Sequence, residues 1–143
     1  MEPQSDALKR VVNFYQTLKP ETLAKLTRVY ASDASFKDPF NDVHGIDQIR
    51  HVLERMFKHM TEARFIIIDA VQQGDQAFLT WDMTFRLKRR PALTQKIHGA
   101  SHLRFDDSGK VQRHRDYWDA GEEVYEKIPV FGSVVRWVRG KMG

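Results

Sequence analysis

RFIIIDAVQQGDQAFLTWDMTFRL, residues 64–87, is where the period of the chain changes from helical to two. Phe65 to Gln73 reads as a strand closed by the turn Gly74-Asp75. Beyond it, Ala77, Leu79, Trp81, Met83, Phe85 and Leu87 make an unbroken apolar face against Phe78, Thr80, Asp82, Thr84 and Arg86. Successive strand side chains point to opposite faces, so this alternation predicts two antiparallel strands that bury one face. The pattern continues downstream. Lys88 to Pro91 is a turn, and the next strand carries Ile97, Gly99, Ser101, Leu103 and Phe105 on one side with Lys96, His98, His102 and Arg104 on the other. Asp106 to Gly109 is a hairpin turn, and the last strand runs from Lys110 to about Trp118. Arginine is rarely buried, so Arg113 and Arg115 point to water and His114, Asp116 and Trp118 take the inward face.

Upstream the spacing is helical. Ser5 and Asp6 can cap a helix carrying Leu8, Val11, Val12, Tyr15 and Leu18, which Pro20 stops. Tyr15 therefore faces inward. Leu23, Leu26, Val29 and Tyr30 predict a second short helix ending in the turn Ala31-Ser32-Asp33, followed by a short strand, Ala34 to Asp38, before Pro39. Asn41-Asp42 reads as a turn. Gly45 opens a third helix with Ile46, Ile49, Leu53, Met56, Phe57 and Met60 on one face. The order α-α-β-α-β-β-β-β predicts an α+β architecture, one mostly antiparallel sheet curled around helices packed on one face. The enclosed space is a cone lined by the strands and the first helix.

Composition narrows the function classes. The 143 residues contain no cysteine, which removes disulfides, thiolate metal sites and thiol nucleophiles. No apolar run approaches a membrane span and the first residues have no apolar signal core, so the expectation is a soluble, cytoplasmic protein. The net charge of +4 is localised: residues 127–143 hold Lys127, Arg136, Arg139 and Lys141 and no acid, whereas residues 1–126 hold 19 basic and 19 acidic residues. Residues 1–126 thus read as one domain and 127–143 as a basic amphipathic segment with an extra helix, packed on or near it. Its contact with an anionic membrane is the less favoured alternative to covering the mouth of the cone. The basic residues are not interleaved with exposed aromatics along a sheet face, which speaks against nucleic acid. No metal site is predicted, since His44, Asp47, His51 and His59 form no ligand motif.

The strings VVNFYQTL, LTRVYASDASFKDPF, HGIDQIRHVL and ASHLRFDDSGKV, in that order, resemble the nuclear transport factor 2-like superfamily, within it the SnoaL-like polyketide cyclase and ketosteroid isomerase branch. The resemblance implies a conical α+β barrel with a deep pocket, a homodimer, and no cofactor. It also implies roles. Tyr15 matches the tyrosine that donates to an oxyanion, and Asp38, in FKDP, matches the general base. The position of the oxyanion-hole acid is taken by Ser101, a weaker partner for a dienolate, which argues against steroid isomerisation in the strict sense. Inward Asp and His residues of late strands serve SnoaL-like cyclases and related dehydratases as acid–base groups, a role His114 and Asp116 match.

The candidate catalytic residues are therefore Asp38, His114, Asp116 and Tyr15. Trp81, Met83, Phe85, Ser101, Leu103 and Trp118 are the candidate wall for a small hydrophobic molecule. Each has a structural alternative. Asp38 can cap a turn, Tyr15 can be a packed core tyrosine, and His114 with Asp116 can be a buried pair that fixes the last strand. The functional reading stays open between a cofactor-independent isomerase, cyclase or dehydratase acting on a hydrophobic carbonyl compound, a non-catalytic binding protein for a small apolar ligand, and a peripheral module that docks through its basic tail.

Overall fold

A computed structural model describes residues 4–119, and the basic segment 127–143 with its predicted helix lies outside the described residues. Helix α1, Asp6–Gln16, starts where Ser5 Oγ accepts the Leu8 N–H at 3.2 Å, and it buries Leu8, Val11, Phe14 and Tyr15. A 3₁₀ turn, Pro20–Lys25, leads into the single turn of α2, Leu26–Val29. Strands β1, Tyr30–Lys37, and β2, Asp42–His44, precede helix α3, Ile46–His59. Gly45 enters α3 at φ 94°, a conformation that strains any residue with a Cβ, and donates its N–H to the Ala34 carbonyl at 2.7 Å. Four long strands follow: β3, Met60–Gln73; β4, Gln76–Leu87; β5, Arg90–Phe105; and β6, Val111–Tyr117.

These strands form one six-stranded, unclosed sheet in the order β2-β1-β6-β5-β4-β3. Every pairing is antiparallel except β1 with β6. The register shifts between Thr61 and Arg64 and between Ile67 and Asp69 of β3, between Arg86 and Leu87, and between Arg104 and Phe105. Such bulges bend a strand and increase its twist, which curls the sheet. The concave face closes on the helices. Gln16 and Gln72 side chains tie the two ends of α1 to β3, through Ile67 N and Ser5 N respectively.

The architecture is the predicted α+β cone, with three corrections in its first half. Tyr30 does not end a helix; it begins β1, and Ala31-Ser32-Asp33 is strand rather than turn. Asp42 to His44 pairs with β1 as an edge strand, through Ser35–His44, Phe36–Val43 and Lys37–Asp42. Met60 caps α3 in extended conformation and opens β3, five residues before the predicted start. The physical reason is shared. Short apolar runs suit helix and strand alike, and pairing with a sheet edge decides between them.

Candidate active site

The cone encloses a cavity of about 460 Å³, within the range of small-molecule sites. Its wall is mostly apolar, with Phe36, Leu53, Met56, Phe65, Trp81 and Met83 among the lining residues. Tyr15, Asp38, Asn41 and Asp116 bring polar atoms into it. An adjoining cleft of about 520 Å³ shares Asp38, Asp116 and Trp118.

Four register pairings converge behind this wall. On β6, His114 and Asp116 project inward, two residues apart. His114 lies beside Phe36 of β1 and Leu103 of β5, and Asp116 lies beside Ser101. Trp81 is paired with Gly99, and its indole reaches Ser101, two residues further along β5. The result is a continuous hydrogen-bonded chain. Tyr15 Oη meets Tyr30 Oη at 2.6 Å, Tyr30 Oη meets His114 Nδ1 at 2.6 Å, and His114 Nε2 meets Asp116 Oδ1 at 2.6 Å. From the other side Trp81 Nε1 donates to Ser101 Oγ at 2.9 Å, which donates to the same Asp116 Oδ1 at 2.5 Å. Among the described residues Asp116 Oδ2 has no hydrogen-bond partner, which leaves it to the cavity.

The direction of this chain follows from its donors and acceptors. With a neutral imidazole whose Nε2–H faces the Asp116 carboxylate, Nδ1 can only accept, so Tyr30 donates to it and Tyr15 donates to Tyr30. The Tyr15 proton is then used internally. A second proton, on Nδ1, reverses every bond: His114 donates to Tyr30, Tyr30 to Tyr15, and the Tyr15 hydroxyl is released to donate into the cavity. Tyr15 and Asp116, at the two ends of the chain, both line the cavity. Burial is the first cause that raises the pKa of Tyr15 and of Tyr30, with the Asp116 charge adding to it, so both remain neutral hydroxyls at ordinary pH.

Asp38 follows β1 directly. Its Oδ1 accepts from Phe40 N at 2.8 Å, Asn41 N at 2.6 Å and Asn41 Nδ2 at 3.0 Å. The carboxylate therefore caps the Pro39–Asn41 turn while lining the cavity. Desolvation raises its pKa above the ordinary 3.8, with the Asp116 charge acting in the same direction. The three N–H donors act against this without cancelling it.

The SnoaL-like domain profile matches residues 11–114, well over half of the chain. The chain belongs to the SnoaL-like family. Among solved structures similar to this SnoaL-like domain is an NTF2-like protein of unknown function from Burkholderia pseudomallei K96243, with 16% identity and a TM-score of 0.73 over 83% of this chain and 95% of that one. A hypothetical protein with a ketosteroid isomerase-like fold from Catenulispora acidiphila, in complex with trimethylamine, has 16% identity and a TM-score of 0.73, covering 86% and 92%. An LEH-like epoxide hydrolase of M. tuberculosis has 17% identity and a TM-score of 0.70, covering 92% of both chains. At these identities the likeness is one of fold. No curated protein matches the sequence.

The SnoaL-like cone brings Tyr15, Asp38 and Asp116 to one cavity with Trp81, Met83 and Trp118, and it sets His114 behind them, 3% exposed. It does not bring Phe85, Ser101 or Leu103 to the cavity wall. Phe85 and Leu103 are core residues, 1% and 0% exposed, and Ser101 serves as the hydrogen-bond bridge between Trp81 and Asp116. Alternation assigns a face but not a depth, so residues of one inward face divide between core and cavity. Tyr30 is the participant that sequence reasoning passed over. It sat in an apolar stripe, yet a fully buried tyrosine needs a partner for its hydroxyl, and that requirement pointed to a polar neighbour. Among the described residues no cluster of metal-ligating side chains occurs.

Gly99 is part of the same construction. A Cβ there would lie 2.5 Å from Trp81 Cη2 and 2.6 Å from Cζ2, and the indole is buried, so it cannot swing aside freely. Gly99→Ala is expected to displace the ring, break its bond to Ser101 and cost about 1–3 kcal/mol. Urea unfolding checks the cost, and the tryptophan emission maximum checks the displacement. Unchanged stability and emission would contradict this seating of Trp81.

Proposed function

We propose that this SnoaL-like protein is a cofactor-independent acid–base catalyst acting on a hydrophobic carbonyl compound. The observation that carries the reading is the convergence of Asp38, Asp116 and Tyr15 on one largely apolar cavity, backed by a buried chain through His114 that can aim the Tyr15 proton. Asp38 removes a proton from the carbon next to the carbonyl, and the electron pair moves onto the carbonyl oxygen. Tyr15 donates a hydrogen bond to that oxygen when His114, whose Nε2 meets Asp116 Oδ1 at 2.6 Å, donates from Nδ1 to Tyr30. Return of the proton from Asp38 to another carbon completes an isomerisation. Loss of a neighbouring hydroxyl as water, with the proton supplied by an acid of the site, completes a dehydration.

The raised pKa of Asp38 fits a base whose protonated form must also be a competent acid. Exchange of protons next to the carbonyl of cyclic and long-chain ketones, followed in D₂O by NMR, tests the reading without knowledge of the natural substrate. Wild type is expected to accelerate exchange, with a rate that rises with pH as Asp38 ionises, at a midpoint above 3.8. Asp38→Asn is expected to lose about 10²–10⁴-fold and that ionisation limb with it. Ketone binding without accelerated exchange would replace this reading with that of a binding protein.

A further inference from the structure

We infer that the ligand of this cavity is an amphipathic anion, an apolar body ending in a carboxylate or phosphate. The inference rests on the cavity described above but not on its chemistry. Alongside the apolar wall, the lining includes Arg55, Lys58, His59, Lys88 and Arg89. Two separate elements supply them, the last turns of α3 and the turn between β4 and β5. The Lys88 N–H donates to the His59 carbonyl at 3.0 Å, which fastens one element to the other and gathers the side chains at one rim.

Each half has an ordinary explanation alone. Cations suit a helix C-terminus, and charged residues protect a hairpin tip. Neither explains why both meet at the edge of an apolar cavity. Among the described residues none of the five forms an ion pair. The acids nearest in sequence to this rim are Glu54, exposed next to Arg55 and in no ion pair among the described residues, and Glu62, which is held by Arg86 Nε at 2.8 Å. Arg55 alone is engaged, donating to Asn41 Oδ1 at 3.3 Å, and through Asn41 it stands two hydrogen bonds from Asp38. Of the two lining carboxylates, Asp38 accepts from Asn41 and Phe40, and Asp116 accepts from Ser101 and His114 through Oδ1 while its Oδ2 is left to the cavity. The unpaired charge gathered at the rim is positive, and there an ionic head group keeps part of its hydration while the apolar body enters.

The test compares octanoate, octyl phosphate and 1-octanol as probes of the full chain by isothermal titration calorimetry. At about 20 mM salt, where screening is weak, the anions are expected to bind about tenfold or more tighter than the alcohol, and the preference shrinks as salt rises. The triple variant Lys58→Gln, Lys88→Gln, Arg89→Gln, altered only at exposed positions, is expected to bind the three probes within about twofold of one another. Octanoate ahead of octyl phosphate marks a free carboxylate as the natural terminus, and the reverse order marks a phosphate ester. Equal affinity of wild type for octanoate and octanol, a preference that survives in the triple variant, or no octanoate binding at millimolar concentration would overturn the inference. Asp116→Asn is expected to keep the preference for octanoate, so failure of the acid–base reading and failure of this one are told apart.

Discussion

Replacing Asp116 with asparagine is expected to lower the rate of carbonyl-adjacent exchange by about 10²–10⁴-fold while the fold stays intact. Asparagine has the same shape, and its side-chain oxygen can still accept from Ser101 and from His114 Nε2. What it removes is the negative charge. An imidazole with protons on both nitrogens then has no counter-ion in a site where His114 is 3% exposed. The chain settles in the direction Tyr15 to Tyr30 to His114, and the Tyr15 proton is no longer offered to the cavity. The oxygen of Asp116 left to the cavity is lost as well. The measurement is the exchange rate at saturating ketone, with circular dichroism to check the fold. A rate within about threefold of wild type would remove Asp116 and the chain from catalysis.

The largest expected effect on stability belongs to His114→Leu. Leucine fills most of the ring's space against Phe36 and Tyr15, whose rings lie 4.7 and 5.8 Å from the imidazole, so little cavity is created. The cost is polar. Tyr30 loses its acceptor, and Asp116 keeps a charge with one of its two partners gone. Leaving the buried Tyr30 hydroxyl without its acceptor and the Asp116 carboxylate short of one donor costs about 1–3 kcal/mol for each group, about 2–6 kcal/mol together, which lowers the melting temperature by about 6 °C or more. Tyr30→Phe removes only a hydroxyl and is expected to cost about 1–3 kcal/mol. The double variant is expected to cost less than the sum, because a phenylalanine in place of Tyr30 no longer needs the acceptor that His114→Leu takes away. Thermal and urea unfolding of the three variants checks the cycle. Additive costs, or a loss under about 1 kcal/mol for His114→Leu, would mean that the chain does not act as a unit.

The part of the fold that the sequence made legible was the part with strict alternation. From Ala77 to Leu87 and from Ile97 to Phe105 each inward residue is apolar or small, and a one-residue slip would expose the whole set, so strand, face and register follow together. Arg113 and Arg115 did the same for β6, since their cost of burial leaves His114 and Asp116 the inward face. Residues 26–37 lacked such a constraint. Leu26, Val29 and Tyr30 satisfy a helical stripe as well as a strand start, and β6, which pairs with β1, lies some eighty residues away in sequence. The missed role of Tyr30 follows from the missed start of β1. Its hydroxyl bridges Tyr15 and His114 because the strand begins at Tyr30, four residues before the predicted start at Ala34. The rim of the cavity was illegible for a different reason. Lys58 and Lys88 are thirty positions apart, and only the bond between the His59 carbonyl and the Lys88 N–H shows that their charges share one place.

Whether Asp38 and Asp116 act chemically on what the cavity holds, and do not merely shape it, is tested most directly by deuterium incorporation next to the carbonyl of a bound ketone. Wild type is compared with the Asp38→Asn, Asp116→Asn double variant, and ketone affinity is measured for both. Accelerated incorporation is expected for wild type, and the buffer rate for the double variant at comparable ketone affinity. Equal incorporation by the two proteins, or no acceleration by wild type with the ketone bound, would contradict a chemical role for the two carboxylates.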